Sequence, residues 1–81
     1  MKCQVRLFAA ARQLARQEQL EIDIEQPATV STLRQAIAEA YPALRALLPH
    51  CRFAIEMEYV LDEQVLHEGE EVACIPPVSG G

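Results

Sequence analysis

An α+β fold, a mixed sheet wrapped over one main helix, is predicted for this chain by three observations. Apolar and polar residues alternate in three separate stretches, "KCQVRLF", "LEIDIE" and "RFAIEMEYV", and alternation is the period of a half-buried strand. One segment, running from Val30 to Tyr41, repeats its apolar residues at helical spacing. The length of 81 residues suits one small domain.

The elements follow in order. In "KCQVRLF", Cys3, Val5 and Leu7 share one face, and Lys2, Gln4, Arg6 and Phe8 the other. "AAARQLARQ" holds good helix formers and no breaker, which predicts a short helix over Ala9 to Arg16. "LEIDIE" points Leu20, Ile22 and Ile24 inward. Its short connection to the first strand predicts antiparallel pairing. Pro27 then breaks the pattern, and Thr29 offers an N-cap for a helix starting at Val30. Val30, Leu33, Ile37 and Ala40 or Tyr41 form its apolar stripe. Pro42 stops that helix, and "ALRALL" has the composition for one more turn before Pro49.

"RFAIEMEYV" reads as one strand, with Phe53, Ile55 and Met57 on one face and Glu56 and Glu58 on the other. "QVL" is a candidate very short strand. "HEGEE" is a turn in which Gly69 supplies a positive φ. "EVACI" is the last strand, and Pro76 cannot donate to its ladder. A mixed sheet covering a single helix buries the one apolar stripe economically. A right-handed crossover through that helix points its flanking strands the same way. This order of elements is the β-grasp, or ubiquitin-like, architecture.

Composition narrows the function. Hydrophobic residues make up 51% of the chain, but only four are Phe or Tyr and none is Trp. The core is therefore aliphatic, and a domain this small commits most of it to stability. That leaves little room for an enclosed substrate pocket. The net charge of −5 argues against nucleic acid and against an anionic membrane, and steers the domain toward a basic protein partner. No stretch is apolar for long enough to span a bilayer. The opening residues carry Lys2, Arg6, Arg12 and Arg16 rather than an apolar run after a basic start, so a cytoplasmic location is expected.

Cys3, Cys51 and Cys74 are odd in number and far apart, which matches neither a zinc ribbon nor an iron–sulfur site. They read as reduced, buried thiols. Cys51 lies between His50 and Arg52, which can lower a thiol pKa, although adjacent residues seldom face each other. His50 and His67 are isolated, and no metal site is expected.

The chain closes on "IPPVSGG". The division this implies is a domain over residues 1–76 and a Gly-Gly tail over 77–81. Pro76 and Pro77 favour an extended, stiff exit. Val78 and Ser79 add modest bulk, and Gly80 and Gly81 add none. Fully extended, Pro76 to Gly81 reaches roughly 20 Å at about 3.3 Å per residue. A slim, bare-ended peptide can enter a tunnel in another protein. No core argument explains terminal glycines, which cost entropy to order and bury nothing. A frayed end is the alternative.

On "VRLFAAARQL", "ATVSTLRQAIAEAYP", "FAIEMEYV" and above all "VLHEGEEVACIPPVSGG", the chain resembles the small subunits of molybdopterin synthase over essentially its whole length. Three positions depart from that pattern: Glu68-Gly69-Glu70 replaces Asp-Gly-Asp, Cys74 replaces an aromatic, and Glu56 replaces an Asn. The resemblance implies a sulfur carrier that supplies the reacting atom but no catalytic acid, base or metal ligand. An adenylating E1-like enzyme using MgATP would activate the Gly81 carboxylate. A sulfurtransferase or cysteine desulfurase would leave a thiocarboxylate there. The tail would then enter the large subunit of molybdopterin synthase, in a heterotetramer, and sulfur would build the dithiolene of molybdopterin. No cofactor is expected on this chain itself.

Phe8, Tyr59, Ile75 and Val78 are the candidate docking residues. Phe8 sits on a polar strand face, and Ile75 is out of phase with Val72 and Cys74. Apolar side chains on a polar face mark a binding patch, unless they cover one end of a small core. Glu68, Glu70 and Glu71 suit a solvated turn better than a site. Competing readings are a carrier for thiamine biosynthesis or tRNA thiolation, a ubiquitin-like modifier joined to lysines through Gly81, and a binding module with no covalent chemistry.

Overall fold

The computed structural model describes residues 1–77. The chain runs β1 (Lys2–Leu7), α1 (Ala9–Ala15), β2 (Gln19–Asp23), β3 (Ala28–Thr29) and α2 (Val30–Ala40). Two 3₁₀ turns, Pro42–Leu44 and Leu48–His50, lead to β4 (Arg52–Ile55), β5 (Glu58–Val60), β6 (Val65–Leu66) and β7 (Glu71–Ile75). Five strands form one sheet in the order β2-β1-β7-β4-β5, and β3 pairs with β6 apart from it. The central pair β1–β7 is parallel, whereas β1–β2, β4–β7 and β4–β5 are antiparallel. The strands before and after α2, β2 and β4, therefore point the same way, with β1 and β7 between them. With α2 laid against this mixed sheet, the architecture is the predicted β-grasp.

Alternation decides which face is buried. Cys3, Val5 and Leu7 of β1, Leu20 and Ile22 of β2, Phe53 of β4, and Val72 and Cys74 of β7 point to the core. Val30, Leu33 and Ile37 of α2 meet them, with Leu44, Leu48 and Leu66 closing the ends. Each large aliphatic or aromatic side chain so buried contributes about 1.5–3 kcal/mol of transfer free energy. Thr29 caps α2 as its sequence predicts. Its hydroxyl accepts from the Thr32 amide at 3.3 Å, and the Thr32 hydroxyl accepts from the Thr29 amide at 2.8 Å, so two otherwise orphaned donors are satisfied.

Several local expectations are corrected. Phe8 is not the last residue of a strand. It stands in extended geometry at the N-cap of α1, because Ala9 adopts φ 49 and turns the chain. Helix α1 ends at Ala15, one residue early, because Arg16 takes the left-handed conformation. The further turn expected in "ALRALL" forms as 3₁₀ rather than α geometry, in Pro42–Leu44 and Leu48–His50. Strand β3 exists only as the partner of β6.

The largest correction concerns "RFAIEMEYV". It is a hairpin, not one strand. Glu56 and Met57 both take positive φ, 50 and 67, which reverses the chain in two residues and suits the right-handed twist of the flanking strands. Met57, expected in phase with Phe53 and Ile55, is 100% exposed. No helix among the described residues is long and apolar enough to cross a membrane.

Candidate functional site

With α2 on one face, the other face of the sheet is open. Strand register places Gln19, Arg6, Ala73, Ala54 and Tyr59 in one row across all five strands. The row changes character midway. Its β2–β1 side is a polar lattice. Lys2 pairs with Glu21 at 3.5 Å, Gln4 donates to Glu21 at 3.0 Å, and Arg6 pairs with Glu71 at 3.6 Å. These pairs are exposed, so they order the surface more than they stabilise it.

The β7–β4–β5 side is apolar. Ala73 and Ala54 lie directly opposite each other, and their small side chains leave a trench of about 420 Å³. Phe8, Met57, Tyr59 and Ile75 wall it, with Arg6 at one end. Phe8 is 40% exposed and Tyr59 60%. Three of the four docking residues picked out in the sequence, Phe8, Tyr59 and Ile75, thus converge on one hollow, and the fourth, Val78, lies outside the described residues. Met57 and the two alanines were missed. Their signal was legible only through register, because Ala54 and Ala73 owe their position to alternation against the buried Phe53 and Cys74.

One end of the trench adjoins the root of the tail. Pro76 is buried and Pro77 exposed. Both line a smaller hollow of about 250 Å³ with His50, Arg52, Tyr59 and Ile75. The Arg52 guanidinium stacks over the Tyr59 ring at 5.0 Å from its centroid, a cation–π contact that stiffens this wall. Val78, Ser79, Gly80 and Gly81, the rest of the predicted tail, lie outside the described residues. At the other end, Glu56, Glu68, Glu70 and Glu71 surround an acidic hollow. Gly69 holds its rim at φ 89 as expected, and Glu70 accepts from the His67 amide at 2.7 Å.

All three cysteines are free and buried. The Cys51 thiol donates to the Leu47 carbonyl at 3.4 Å. A hydrogen bond to Cys51 and then burial push the Cys74 thiol well above its ordinary value. Burial first, and then the charge of Glu70, raise Cys3. Neither is poised as a nucleophile. Among the described residues no three His, Cys, Asp or Glu side chains are grouped to hold a metal ion.

What the arrangement offers is an exit for the chain at Pro76-Pro77 beside an apolar trench walled by Phe8, Met57, Tyr59 and Ile75. Comparison with known proteins agrees in kind. The model of the ThiS family matches residues 5–81. The chain is 37% identical to the molybdopterin synthase sulfur carrier subunit of Chlamydomonas reinhardtii, covering 100% of both chains. It is 34% identical to that of Homo sapiens, covering 98% of this chain and 96% of the human one. Among solved structures, SAMP1 from Haloferax volcanii superposes with a TM-score of 0.88 at 28% identity, over 100% of both chains. The fold also recurs, at a TM-score of 0.70 and 24% identity over 100% of both chains, in a complex of subunits 1 and 2 of the molybdopterin-converting factor from Helicobacter pylori. A family match over nearly the whole chain, with full-length relatives of one kind, shows that this chain belongs to the ThiS family and groups with the molybdopterin synthase sulfur carrier subunits.

Proposed function

We propose that this protein carries sulfur for molybdenum cofactor biosynthesis as a thiocarboxylate on Gly81. The observation that carries the reading is the exit of the chain at Pro76-Pro77 beside the apolar trench, joined to full-length likeness to named sulfur carriers. A carboxylate is a poor electrophile until one oxygen becomes a good leaving group. The Gly81 carboxylate therefore attacks the α-phosphate of MgATP on an E1-like enzyme, releasing pyrophosphate. A sulfide equivalent from a sulfurtransferase or cysteine desulfurase displaces AMP. The resulting thioacid is ionised at neutral pH and is a better nucleophile than the carboxylate. Residues 77–81 form the arm that delivers it.

The acceptor is a cyclic pyranopterin held by the large subunit of molybdopterin synthase. Each thiocarboxylate gives one sulfur and a dithiolene needs two, so two charged carriers are consumed per product. That count fits a heterotetramer of two small and two large subunits. The carrier contributes the reacting atom, and the acid, base and pterin contacts come from the partner. Phe8, Tyr59 and Ile75 would supply the docking face. The free thiols of Cys3, Cys51 and Cys74 fit a reducing cytoplasm.

The test is deletion of Gly81. Intact-mass measurement after incubation with the activating enzyme, MgATP and a sulfur donor should show thiocarboxylate on the full chain and none on the truncated one. Pterin conversion should be lost with it. Conversion at the wild-type rate by the truncated chain would sink the reading. A second reading, a modifier joined to lysines through the same activated carboxylate, is favoured by the likeness to SAMP1. It predicts covalent adducts between Gly81 and protein amines, visible by mass.

A further inference from the structure

We propose that the outer edge of β2, with the hollow between it and α2, docks an extended basic segment of another protein, which pairs with β2 as a sixth strand of the sheet. β2 ends the order β2-β1-β7-β4-β5. It lies two strands from β7 and the tail root, so this surface is separate from the trench. The ladder shows which backbone groups are free. Met1 and Ile24 exchange both amide bonds, each at 2.9 Å, and the Leu7 amide donates to the Glu18 carbonyl at 2.8 Å. Such pairs alternate along an antiparallel ladder. In the register Cys3↔Ile22 and Val5↔Leu20, Leu20 and Ile22 therefore turn their amides and carbonyls to β1. Gln19, Glu21 and Asp23 turn theirs outward. No described strand pairs with that side, and a bare edge is the template on which an incoming peptide adds a strand.

The surroundings set the chemistry of the segment. Its residues opposite Leu20 and Ile22 would point to the helix side, into a hollow of about 380 Å³ whose walls include Ile22, Ala36, Ala40 and Tyr41. Ala36 and Ala40 stand one turn apart on α2 and leave room for an aliphatic side chain. Its residues opposite Gln19, Glu21 and Asp23 would share the open face with two carboxylates. Glu21 meets Lys2 and Asp23 meets the N-terminal amine, each at 3.5 Å, whereas Glu25 and Glu39 have no ion pair among the described residues. Four carboxylates against two cations leave the rim negative, so the segment carries Lys or Arg at alternate positions with aliphatic residues between. A second copy of this chain is a poor occupant. Antiparallel β2–β2 pairing centred on Glu21 or on Ile22 sets Glu21 opposite Glu21 or opposite Asp23, and like charges directly opposite are destabilising.

The probe is a blocked synthetic peptide, Lys-Val-Lys-Ile-Lys-Val-Thr, designed to lie antiparallel opposite Glu25 back to Gln19, and added to the full chain. Saturating peptide should slow hydrogen exchange of the Gln19, Glu21 and Asp23 amides about tenfold or more. N-methylation of the lysine opposite Glu21 removes a ladder donor and should weaken binding about tenfold. N-methylation of the isoleucine beside it, whose amide faces away, should leave binding unchanged. Glu21→Lys should weaken binding about tenfold or more, and so should Glu39→Lys, which leaves β2 itself untouched. Unprotected edge amides, equal binding of the two N-methylated peptides, or a folded Glu21→Lys and Glu39→Lys that both bind as the wild type does would each overturn the inference. So would a wild type that self-associates through β2. Sulfur loading, read by intact mass, should be the same in both variants as in the wild type. A chain that never acquires the thiocarboxylate but binds the peptide loses only the sulfur-carrier reading.

Discussion

The Arg34 guanidinium on α2 donates to the Asp62 carboxylate, between β5 and β6, at 2.7 Å. The same group donates to the Leu48 carbonyl and, at 2.9 Å, to the Cys51 carbonyl. It also lies 4.8 Å from the centroid of the Phe53 ring. One side chain thus ties the helix to the segment entering β4 and to the segment leaving β5. Arg34→Ala should cost about 2–4 kcal/mol, because two backbone acceptors and a carboxylate lose their donor together. Asp62→Asn should cost about 1 kcal/mol or less, because that carboxylate is half exposed. Urea denaturation of the two variants measures the contrast, and equal losses would contradict it.

The hairpin turn predicts a gain. Glu56 and Met57 occupy left-handed backbone at φ 50 and 67, where Asn and Gly are far more comfortable. Glu56→Asn should therefore stabilise the domain by roughly 0.5–1 kcal/mol. A fall in the urea midpoint would show that the Glu56 side chain does something its exposure does not reveal.

The Cys51–Cys74 hydrogen bond and thiol burial set an alkaline limit. Cys3 and Cys74 have folded pKa values raised above the ordinary 9.0. Below pH 9 both states are protonated and the stabilisation is fully present. Above it the unfolded thiols ionise while the folded ones hold their protons, so stability falls as pH rises. Thermal melts of wild type and Cys74→Ala between pH 7.5 and pH 10.5 should converge at the alkaline end. Cys74→Ala also loses packing at neutral pH, yet sulfur loading per folded molecule should be unaffected. Abolished loading in folded Cys3→Ala, Cys51→Ala or Cys74→Ala would point to a cysteine relay.

Docking should depend on apolar burial more than on charge. Ile75→Asp should weaken binding to the large subunit by about 2–4 kcal/mol, from lost burial plus a desolvated carboxylate. Phe8→Ala should have a smaller effect of the same sign. Glu70→Gln should change little beyond the association rate and its salt sensitivity. Isothermal titration of the three variants orders them, and a folded Ile75→Asp that binds normally would remove Ile75 from the interface.

Much of the fold was legible because its signals are local. Thr29 as a cap, the stripe of Val30, Leu33 and Ile37, and the alternation of β1 and β2 need no partner to be read. Gly69 announced its turn. The hairpin was hidden because neither Glu56 nor Met57 is a turn former, and "EMEY" continues the alternation across the reversal. Strand β3 is two residues long and is defined only by pairing with β6, a long-range event. Phe8, Tyr59 and Ile75 were noticed as apolar residues out of phase. Ala54 and Ala73 were not, since a small residue says nothing until register sets two of them side by side.

The parallel pairing of β1 with β7 has a mechanical consequence. The strand that ends at the tail root lies in the middle of the sheet, hydrogen-bonded on both sides. A pull along the chain beyond Pro77 would load the β1 and β4 ladders lengthwise, so many hydrogen bonds must slip together rather than open one after another. An edge strand in the same position would peel. The domain can therefore hold firm under tension applied along its exit.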